Sequence, residues 1–352
     1  MDFFNAPIHK WYNINKRDLP WRSTRDPYLV WLSEVIFQQT RIDQGLKYYN
    51  RFAEEFPTVM DLANASEDQV LKLWQGLGYY SRARNLHYTA KYISEHLHGI
   101  FPNSHREIIK LKGIGEYTAA AIASISFNQV FPAVDGNVYR VLSRYFGIST
   151  PIDSNSGKKE FHQLAHELIQ GTDPGMHNQA IMEFGALQCT PKNPGCISCP
   201  LNEKCVAFIN NKIPEFPVKR TKTSQRNRFF NYIVLSEPNH YWIRKRTAED
   251  IWKNLYEFPI IETSEKTEID EVLQEAVRME IYNSKTLIKI EDVSLWQIHI
   301  LSHQRINYRF IRLLQRNEKA YNSELLKVNK QDIFNFAVPR LLESYLIAHS
   351  AK

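Results

Sequence analysis

The sequence predicts a multidomain protein of mixed class, an all-helical domain followed by an α+β domain. Three observations carry this. A length of 352 residues suits two domains better than one. Residues 26–215 carry apolar patterns of helical period, with short separators that hold Pro, Gly or Asn. After residue 228 the texture changes to aromatic and β-branched runs with partial alternation, as strands have. The expected boundaries are 1–215 for the helical domain, 216–228 for a basic linker and 229–352 for the second domain.

Taken in order, residues 28–37 (YLVWLSEVIF) are almost wholly apolar and read as a helix buried on most sides. Further helices are expected at 43–55, 66–74, 82–97, 104–111, 117–126, 137–146, 157–170 and 177–187. Strands are expected at 229–235, 240–246, 295–301 and 305–314, with helical patterns at 268–281 and 331–347. The chain shows no internal repeat and no low-complexity tract.

A hydrophobic content of 43% is ordinary for a globular chain, and no apolar run reaches the length of a membrane span. The amino terminus lacks an apolar core of signal-peptide length, so a cytoplasmic location is expected. The net charge of +6 is unevenly spread. Residues 1–215 hold 22 basic and 21 acidic residues, and residues 229–352 hold 17 of each. The segment FPVKRTKTSQRNR at 216–228 holds five basic residues and no acidic one. A linker that follows phosphates would look like this, and so would a merely solvated one.

The four cysteines lie together as Cys189-x6-Cys196-x2-Cys199-x5-Cys205. A cubane [4Fe–4S] cluster needs four thiolates, and the chain supplies four with none spare. Structural zinc sites of four cysteines usually come as two CxxC pairs, and here only Cys196 and Cys199 form one. Disulfides fit poorly with a chain that carries no secretory signal. The pattern therefore points to a cluster ahead of zinc or disulfides.

Two carboxylates stand out. Glu34 lies inside the apolar helix, where an unpartnered charge is costly. Either it pairs with an arginine, or burial raises its pKa and makes it an acid near neutral pH. Asp135 opens a helix in VDGNV, where the ordinary role is an N-cap. Upstream, Gly113-Ile114-Gly115 leads into the helix at 117–126. The two glycines permit a tight turn, and the following helix offers free N–H groups to an anion.

Together LPWR (19–22), SEVIFQQT (33–40), GLGYYSRARNL (76–86), LKGIGEYTA (111–119), VDGNVYRVLSR (134–144) and the cysteine loop resemble the helix-hairpin-helix DNA glycosylases of the endonuclease III superfamily. Within these, the chain is similar to the adenine glycosylases. Endonuclease III relatives have Gln where Glu34 stands and a Schiff-base Lys where this chain has Tyr117. The resemblance implies a monofunctional enzyme of base excision repair, acting as a monomer on duplex DNA. It would excise adenine mispaired with 8-oxoguanine or guanine. Glu34 would protonate adenine N7 and Asp135 would stabilise the sugar cation, with Tyr117 and Asn137 organising both. Trp21, Arg22 and Glu183 would line the base pocket. Gln39, Thr40, Leu77 and Tyr79 would meet the opened duplex, and Gly113, Ile114 and Gly115 a phosphate. The [4Fe–4S] cluster would sit on Cys189, Cys196, Cys199 and Cys205.

The second domain resembles the Nudix-like domain of the same enzymes. Residues 271–282 (EVLQEAVRMEIY) lack the RE-x2-EE carboxylate core that a Nudix hydrolase uses for Mg²⁺, so a recognition role is implied. Ser302 and His303 stand where the family reads 8-oxoguanine, with Leu301 in place of its Phe. Leu can fill an apolar pocket but cannot stack on a ring. Two other functions compete: a thymine-mismatch glycosylase, which needs no second domain, and a catalytically silent iron–sulfur DNA-binding protein, which needs neither carboxylate.

Overall fold

The computed structural model describes residues 2–220, 225–282, 288–315 and 324–350. It divides into two compact units, Met1–Asn64 with Asn85–Lys222, and Ala65–Arg84 with Thr223–Lys352. Both expected classes are present, a helical unit and an α+β unit, but their membership differs from the expected boundaries. Residues 65–84 sit inside the helical stretch of sequence yet pack with the second unit.

The helices run α1 Asp2–Asn15, α2 Pro27–Phe37, α3 Ile42–Glu55, α4 Val59–Asn64, α5 Glu67–Trp74, α6 Ser81–His96, α7 His105–Ile108, α8 Glu116–Phe127, α9 Gly136–Phe146, α10 Asn155–Ile169, α11 Pro174–Leu187 and α12 Val206–Ile209. All but α5 and the first residues of α6 belong to the first unit. Asp26 caps α2, whose buried Tyr28, Val30, Trp31, Leu32, Val35 and Ile36 lie on most sides of it. Small Ala119, Ala120, Ala121 and Ala123 on α8 are all buried and leave room for close packing. A second core joins Phe4, Ile8 and Tyr12 of α1 to Val138, Val141 and Leu142 of α9, Phe161 of α10 and Phe184 of α11. Cys189, Cys199 and Cys205 pack at its margin.

The strands are β1 Arg226–Ser236, β2 His240–Lys245, β3 Tyr256–Glu257, β4 Ile260–Thr263, β5 Ile288–Val293, β6 Gln297–Ile300, β7 Gln304–Gln315 and β8 Leu326–Asn329. They form one sheet with the path β3-β2-β1-β7-β5. Its centre is the parallel pair β1 and β7, in register from Arg226↔Gln304 to Ser236↔Leu314. Alternation puts Ile233, Leu235, Ile311 and Leu313 on the face that packs against α13, Ile269–Arg278, through Val272 and Ala276. Tyr232 and Phe310 take the opposite face, where Phe310 stacks at 4.0 Å on Tyr345 of α14, Arg340–Ser350.

The expected linker is partly structured. Arg226 and Arg228 belong to β1, and Arg228 is buried between Asp250 and Glu262 at 2.7 and 2.6 Å. That side chain serves the fold rather than a phosphate. Arg220 N–H bonds the Asp153 carboxylate, and Val218 accepts from Ile152 N–H.

Residues 65–84 join the second unit through polar side chains. Asp68 of α5 accepts from Lys245 Nζ at 2.6 Å and from the Tyr256 hydroxyl at 3.2 Å. Glu67 accepts from Asn254 Nδ2, and Gln75 donates to Glu343 at 2.7 Å. Arg84 donates to Lys253 O at 3.0 Å.

Glu257 is fully buried in this unit, with Arg246 at 2.9 Å and Arg244 at 3.4 Å. Replacing it by Ala removes the buried carboxylate that two arginines share and leaves Arg246 with Asp250 alone as its carboxylate partner. Glu257→Ala should destabilise the second unit by about 3–5 kcal/mol. Denaturant unfolding followed by the tryptophans of that unit checks this, and an unchanged midpoint would refute it.

Candidate active site

The first unit brings together the residues expected to carry the chemistry. Glu34 rises from α2, Tyr117 from the first turn of α8, and Asp135 stands at the N-terminus of α9. Each keeps some surface open to solvent while lying deep among protein atoms.

Glu34 has no arginine as its ruling partner. Burial pushes its pKa from 4.5 up to about 7, a hydrogen bond from the Tyr117 hydroxyl opposes this, and the Asp135 charge adds to it. The Tyr117 hydroxyl also lies 3.2 Å from Met182 Sδ, and burial beside two carboxylates raises its pKa well above 10.

Asp135 is held differently. Its Oδ1 accepts from Asn137 N–H at 2.9 Å and Val138 N–H at 2.8 Å, and its Oδ2 from Asn137 Nδ2 at 2.6 Å. Burial raises its pKa, and these bonds with the nearby Arg140 work against the rise. It is therefore the N-cap of α9, aimed back at its own helix end, and the dipole there favours its ionised form.

Behind it stands Arg140, which the sequence reading missed. Its Nη2 donates to Asn137 Oδ1 at 2.8 Å and to Gly185 O at 2.7 Å, and its Nε donates to Cys189 O at 2.8 Å. One buried guanidinium thus joins the Asn137 side chain to the start of the cysteine loop. Its place one helical turn after Asn137 was the available signal. A Cβ on Gly185 would come within 2.7 Å of Asn137 Cβ, so α11 can approach here only without a side chain.

Glu183, expected as a pocket residue, is buried and clamped. Arg17 reaches it with its backbone N–H, Nε and Nη2, and Arg22 with both terminal nitrogens. Burial opposes ionisation, but the two arginines outweigh it and bring the pKa down to about 2. Arg17 is a second residue the sequence reading missed. The clamp fixes the LPWR turn, where Trp21 packs against Phe37 at 4.4 Å and Tyr49 at 5.0 Å.

At the hairpin, Gly113 has φ +81° and a Cβ there would strike Asn85. Gly115 precedes α8 with open space around its Cα and no side-chain cap on the helix, so the first N–H groups face outward. Ile114 is buried beneath them. Gln39 has φ +53°, an uncommon conformation for a residue with a side chain, and Thr40 follows it with its hydroxyl bonded to Gln38 O.

In the cysteine loop, Arg144 Nη1 lies 3.5 Å from Cys189 Sγ and donates to Thr190 O at 2.7 Å. The Cys205 thiol donates to Arg144 O at 3.4 Å. Cys189, Cys196 and Cys205 each bear on Cys199 electrostatically. Among the described residues, no three His, Cys, Asp or Glu side chains are gathered closely enough to hold a metal ion.

The second unit holds the other candidates. Leu77 is 5% exposed and supports its loop from below, whereas Tyr79 is 43% exposed with φ +48°. Leu301, Ser302 and His303 form the turn between β6 and β7, with Ser302 and His303 exposed. The hydroxyls of Tyr79 and Ser302 are hydrogen-bonded to each other.

Residues 32–170 match the profile of the HhH-GPD superfamily of base excision DNA repair proteins, and residues 231–348 match the NUDIX domain. The fold and these matches accordingly place the chain among the DNA N-glycosylases of the helix-hairpin-helix class. An adenine DNA glycosylase of Buchnera aphidicola (from Schizaphis graminum) is 36% identical, over 90% of this chain and 91% of its own length. That of Arabidopsis thaliana is 36% identical over 92% of this chain and 58% of its own. The chain belongs to the adenine DNA glycosylase family. Among solved structures, a thermostable thymine-DNA glycosylase is 30% identical with a TM-score of 0.55, covering 59% of this chain and 95% of that one. A non-covalent endonuclease III–DNA complex, at 23% identity and TM-score 0.51, shares the fold. Among the described residues no helix is long and apolar enough to cross a membrane.

Glu34→Gln keeps the shape of the carboxyl group and removes its transferable proton. Base release should slow by roughly 100- to 10,000-fold while duplex binding persists, as single-turnover and binding assays would read. The wild-type rate should fall as pH rises through about 7, where Glu34 loses its proton. Stability carries the same sign. The folded pKa lies above the ordinary value of 4.5, so the contribution of neutral Glu34 is full below 4.5 and is lost as pH rises through about 7. Glu34→Gln should therefore melt higher than wild type well above pH 7, and equal melting there would count against the raised pKa.

Proposed function

We propose that this member of the family excises adenine placed opposite 8-oxoguanine or guanine, by acid-assisted hydrolysis of the N-glycosidic bond. The observation that carries the reading is Glu34, with its pKa near 7 beside Tyr117 and Asp135. Binding alone would need no such acid, which speaks against a silent DNA-binding protein.

The adenine must leave the stack before Glu34 can reach it. Neutral Glu34 then gives its proton to N7, and the C–N bond breaks with its electron pair going to the base. The positive charge left on the sugar is met by ionised Asp135, an electrostatic stabilisation of the kind that dominates many enzymes. Water adds to the sugar carbon and returns a proton to Glu34, which restores the enzyme. Tyr117 holds the Glu34 carboxyl and Asn137 holds Asp135. Tyr117 has no amine, so this residue forms no Schiff base and the abasic strand is left intact.

Trp21 and Arg22 would line the base pocket, with Glu183 fixing Arg22 from behind. The uncapped N-terminus of α8 behind Gly113, Ile114 and Gly115 suits a DNA phosphate. The left-handed backbone at Gln39 and Tyr79 suits side chains pushed into the duplex, with Thr40 beside the first and Leu77 beneath the second. Ser302 and His303 are the candidates for meeting the opposite base. The second unit favours adenine over thymine as substrate: the thymine-DNA glycosylase is 95% covered by 59% of this chain, which leaves it almost nothing to match that unit.

The four cysteines would hold a [4Fe–4S] cluster, which when bound would pin the loop behind Arg140. The donor set supports this: four thiols, three of them packed on one core, with cationic Arg144 beside Cys189 to offset thiolate charge. The purified protein should contain about 4 irons per chain. Stoichiometric zinc without iron would overturn this part of the proposal.

The deciding experiment measures base release from duplexes carrying A opposite 8-oxoguanine, A opposite G, A opposite T and T opposite G. The first two should be cut, the first fastest. Replacing both Ser302 and His303 by Ala should narrow the gap between them. Release of thymine instead of adenine would overturn the substrate assignment.

A further inference from the structure

We infer that Met182 is a positioning residue for the reaction: its sulfur takes the hydrogen bond of the Tyr117 hydroxyl while Glu34 keeps its proton, and so favours the acid form of Glu34. This rests on the reading of Glu34 as the acid and adds a partner to it.

The placement of Met182 follows from one face of α11. Residues 175, 178, 182 and 185 recur at steps of three and four and share that face. Its two glycines are points of close approach. A Cβ on Gly175 would come within 3.0 Å of Ile125 Cα and Ser124 O on α8, and one on Gly185 would come within 3.0 Å of Asn137 O on α9. Between them, buried Asn178 ties the same face to α8 and to the segment that leads to Asp135. Its Nδ2 donates to Ser124 Oγ at 2.9 Å and to Phe131 O at 2.8 Å, and its Oδ1 accepts from Ala133 N–H at 3.0 Å. One turn further on, Met182 Sδ lies 3.2 Å from the Tyr117 hydroxyl oxygen. Helix α11 is thus fixed on both sides of that contact.

The chemistry of the contact gives it a use. The Tyr117 hydroxyl has one proton to donate, and burial beside two carboxylates keeps that proton on the oxygen. Two acceptors face it, the Glu34 carboxyl and the Met182 thioether. When Glu34 is ionised, its carboxylate is the stronger acceptor and takes the bond. When Glu34 is protonated, its own O–H donates to the Tyr117 oxygen, and the tyrosine proton turns to the sulfur. The chain Glu34–Tyr117–Met182 then runs in one direction with every proton placed. Without an acceptor at 182 that chain has no end, and the ionised form gains on the neutral one. The other titratable group that bears on Glu34 is Asp135 at the start of α9, whose charge also opposes ionisation. The nearby cations are engaged elsewhere, Arg140 with Asn137, Gly185 and Cys189, and Arg17 and Arg22 with Glu183.

The test is the pH dependence of single-turnover base release, measured on the full chain with A opposite 8-oxoguanine. Met182→Leu keeps the volume and removes the acceptor. A thioether is a weak acceptor, so the alkaline fall of this variant should lie about 0.5 pH unit below that of wild type, and release well above pH 7 should slow about 3-fold. Met182→Gln keeps the length and supplies a stronger acceptor, so its fall should lie at or above that of wild type. Tyr117→Phe removes the middle link, and adding Met182→Leu to it should move the fall no further. A wild-type fall in Met182→Leu overturns the inference. A downward shift in both Met182 variants overturns it too, since disturbed packing would then be the cause, as does a shift from Met182→Leu that survives in the Tyr117→Phe background. A wild-type release rate in Glu34→Gln overturns the reading on which the inference rests.

Discussion

The proposed chemistry depends on keeping two neighbouring carboxyl groups in opposite protonation states. Like charges so close resist ionising together, and burial resists either charge. The structure breaks the tie by unequal hydrogen bonding. Asp135 takes two backbone N–H groups and one side-chain N–H at the positive end of α9. Glu34 sits on a nearly wholly apolar helix, where burial outweighs its one named bond from Tyr117. Burial thus pushes Glu34 up to about 7, while at Asp135 the same upward push is opposed by these bonds and by Arg140. On the proposed reading, an acid and a counter-charge result from two side chains that differ by one methylene.

That asymmetry constrains what lies around it. α9 must begin at Gly136, or Asp135 has no free N–H groups to collect. Asn137 must face Asp135, and Arg140 and the absence of a side chain at Gly185 keep it there. Arg140 in turn spends Nε on Cys189 O. A displaced cysteine loop would therefore reach Asp135 through three residues, each linked by a hydrogen bond of ordinary length. Glu183 is the contrasting case. Two arginines hold it ionised at about 2, so it has no proton to give near neutral pH and acts as an anchor for the LPWR turn.

Much of this was legible in the residues. All nine helices read from 26–187 recur with ends shifted by three residues at most, helped by the punctuating Gly, Pro, Ser or Asp between them. The one read as 104–111 is the single turn of α7, His105–Ile108. Helix α1 was missed although Phe4, Ile8 and Tyr12 recur every four residues, because Pro7 and flanking Asn residues obscure the period. Strands β3, β4 and β8 were missed because two to four residues give no alternation to count, and the six-residue β5 was missed as well. Asp135 and Glu34 were visible as anomalies, a carboxylate at a cap and one in an apolar run. The arginines that hold the surrounding groups were not, since Arg17 meets Glu183 and Arg140 meets Cys189 from far along the chain.

The membership of residues 65–84 was beyond sequence reading altogether. The family profile runs unbroken from 32 to 170, and α5 has the stripe of any amphipathic helix. What assigns the segment to the second unit is its polar face: Glu67, Asp68 and Gln75 find Asn254, Lys245, Tyr256 and Glu343. Of these, only Asp68 and Lys245 make an ion pair, and an exposed one typically contributes about 0–1 kcal/mol; the other contacts are single hydrogen bonds of similar size. Their sum is small beside the burial of Val70, Leu71 and Trp74 on the same helix. Stability is therefore a poor account of why they are arranged on one edge. Direction is a better one, because a charged pair fixes which way a helix faces even where it adds little to how firmly the helix is held. On α5 that direction decides where the loop after Trp74 emerges, and with it where Tyr79 stands.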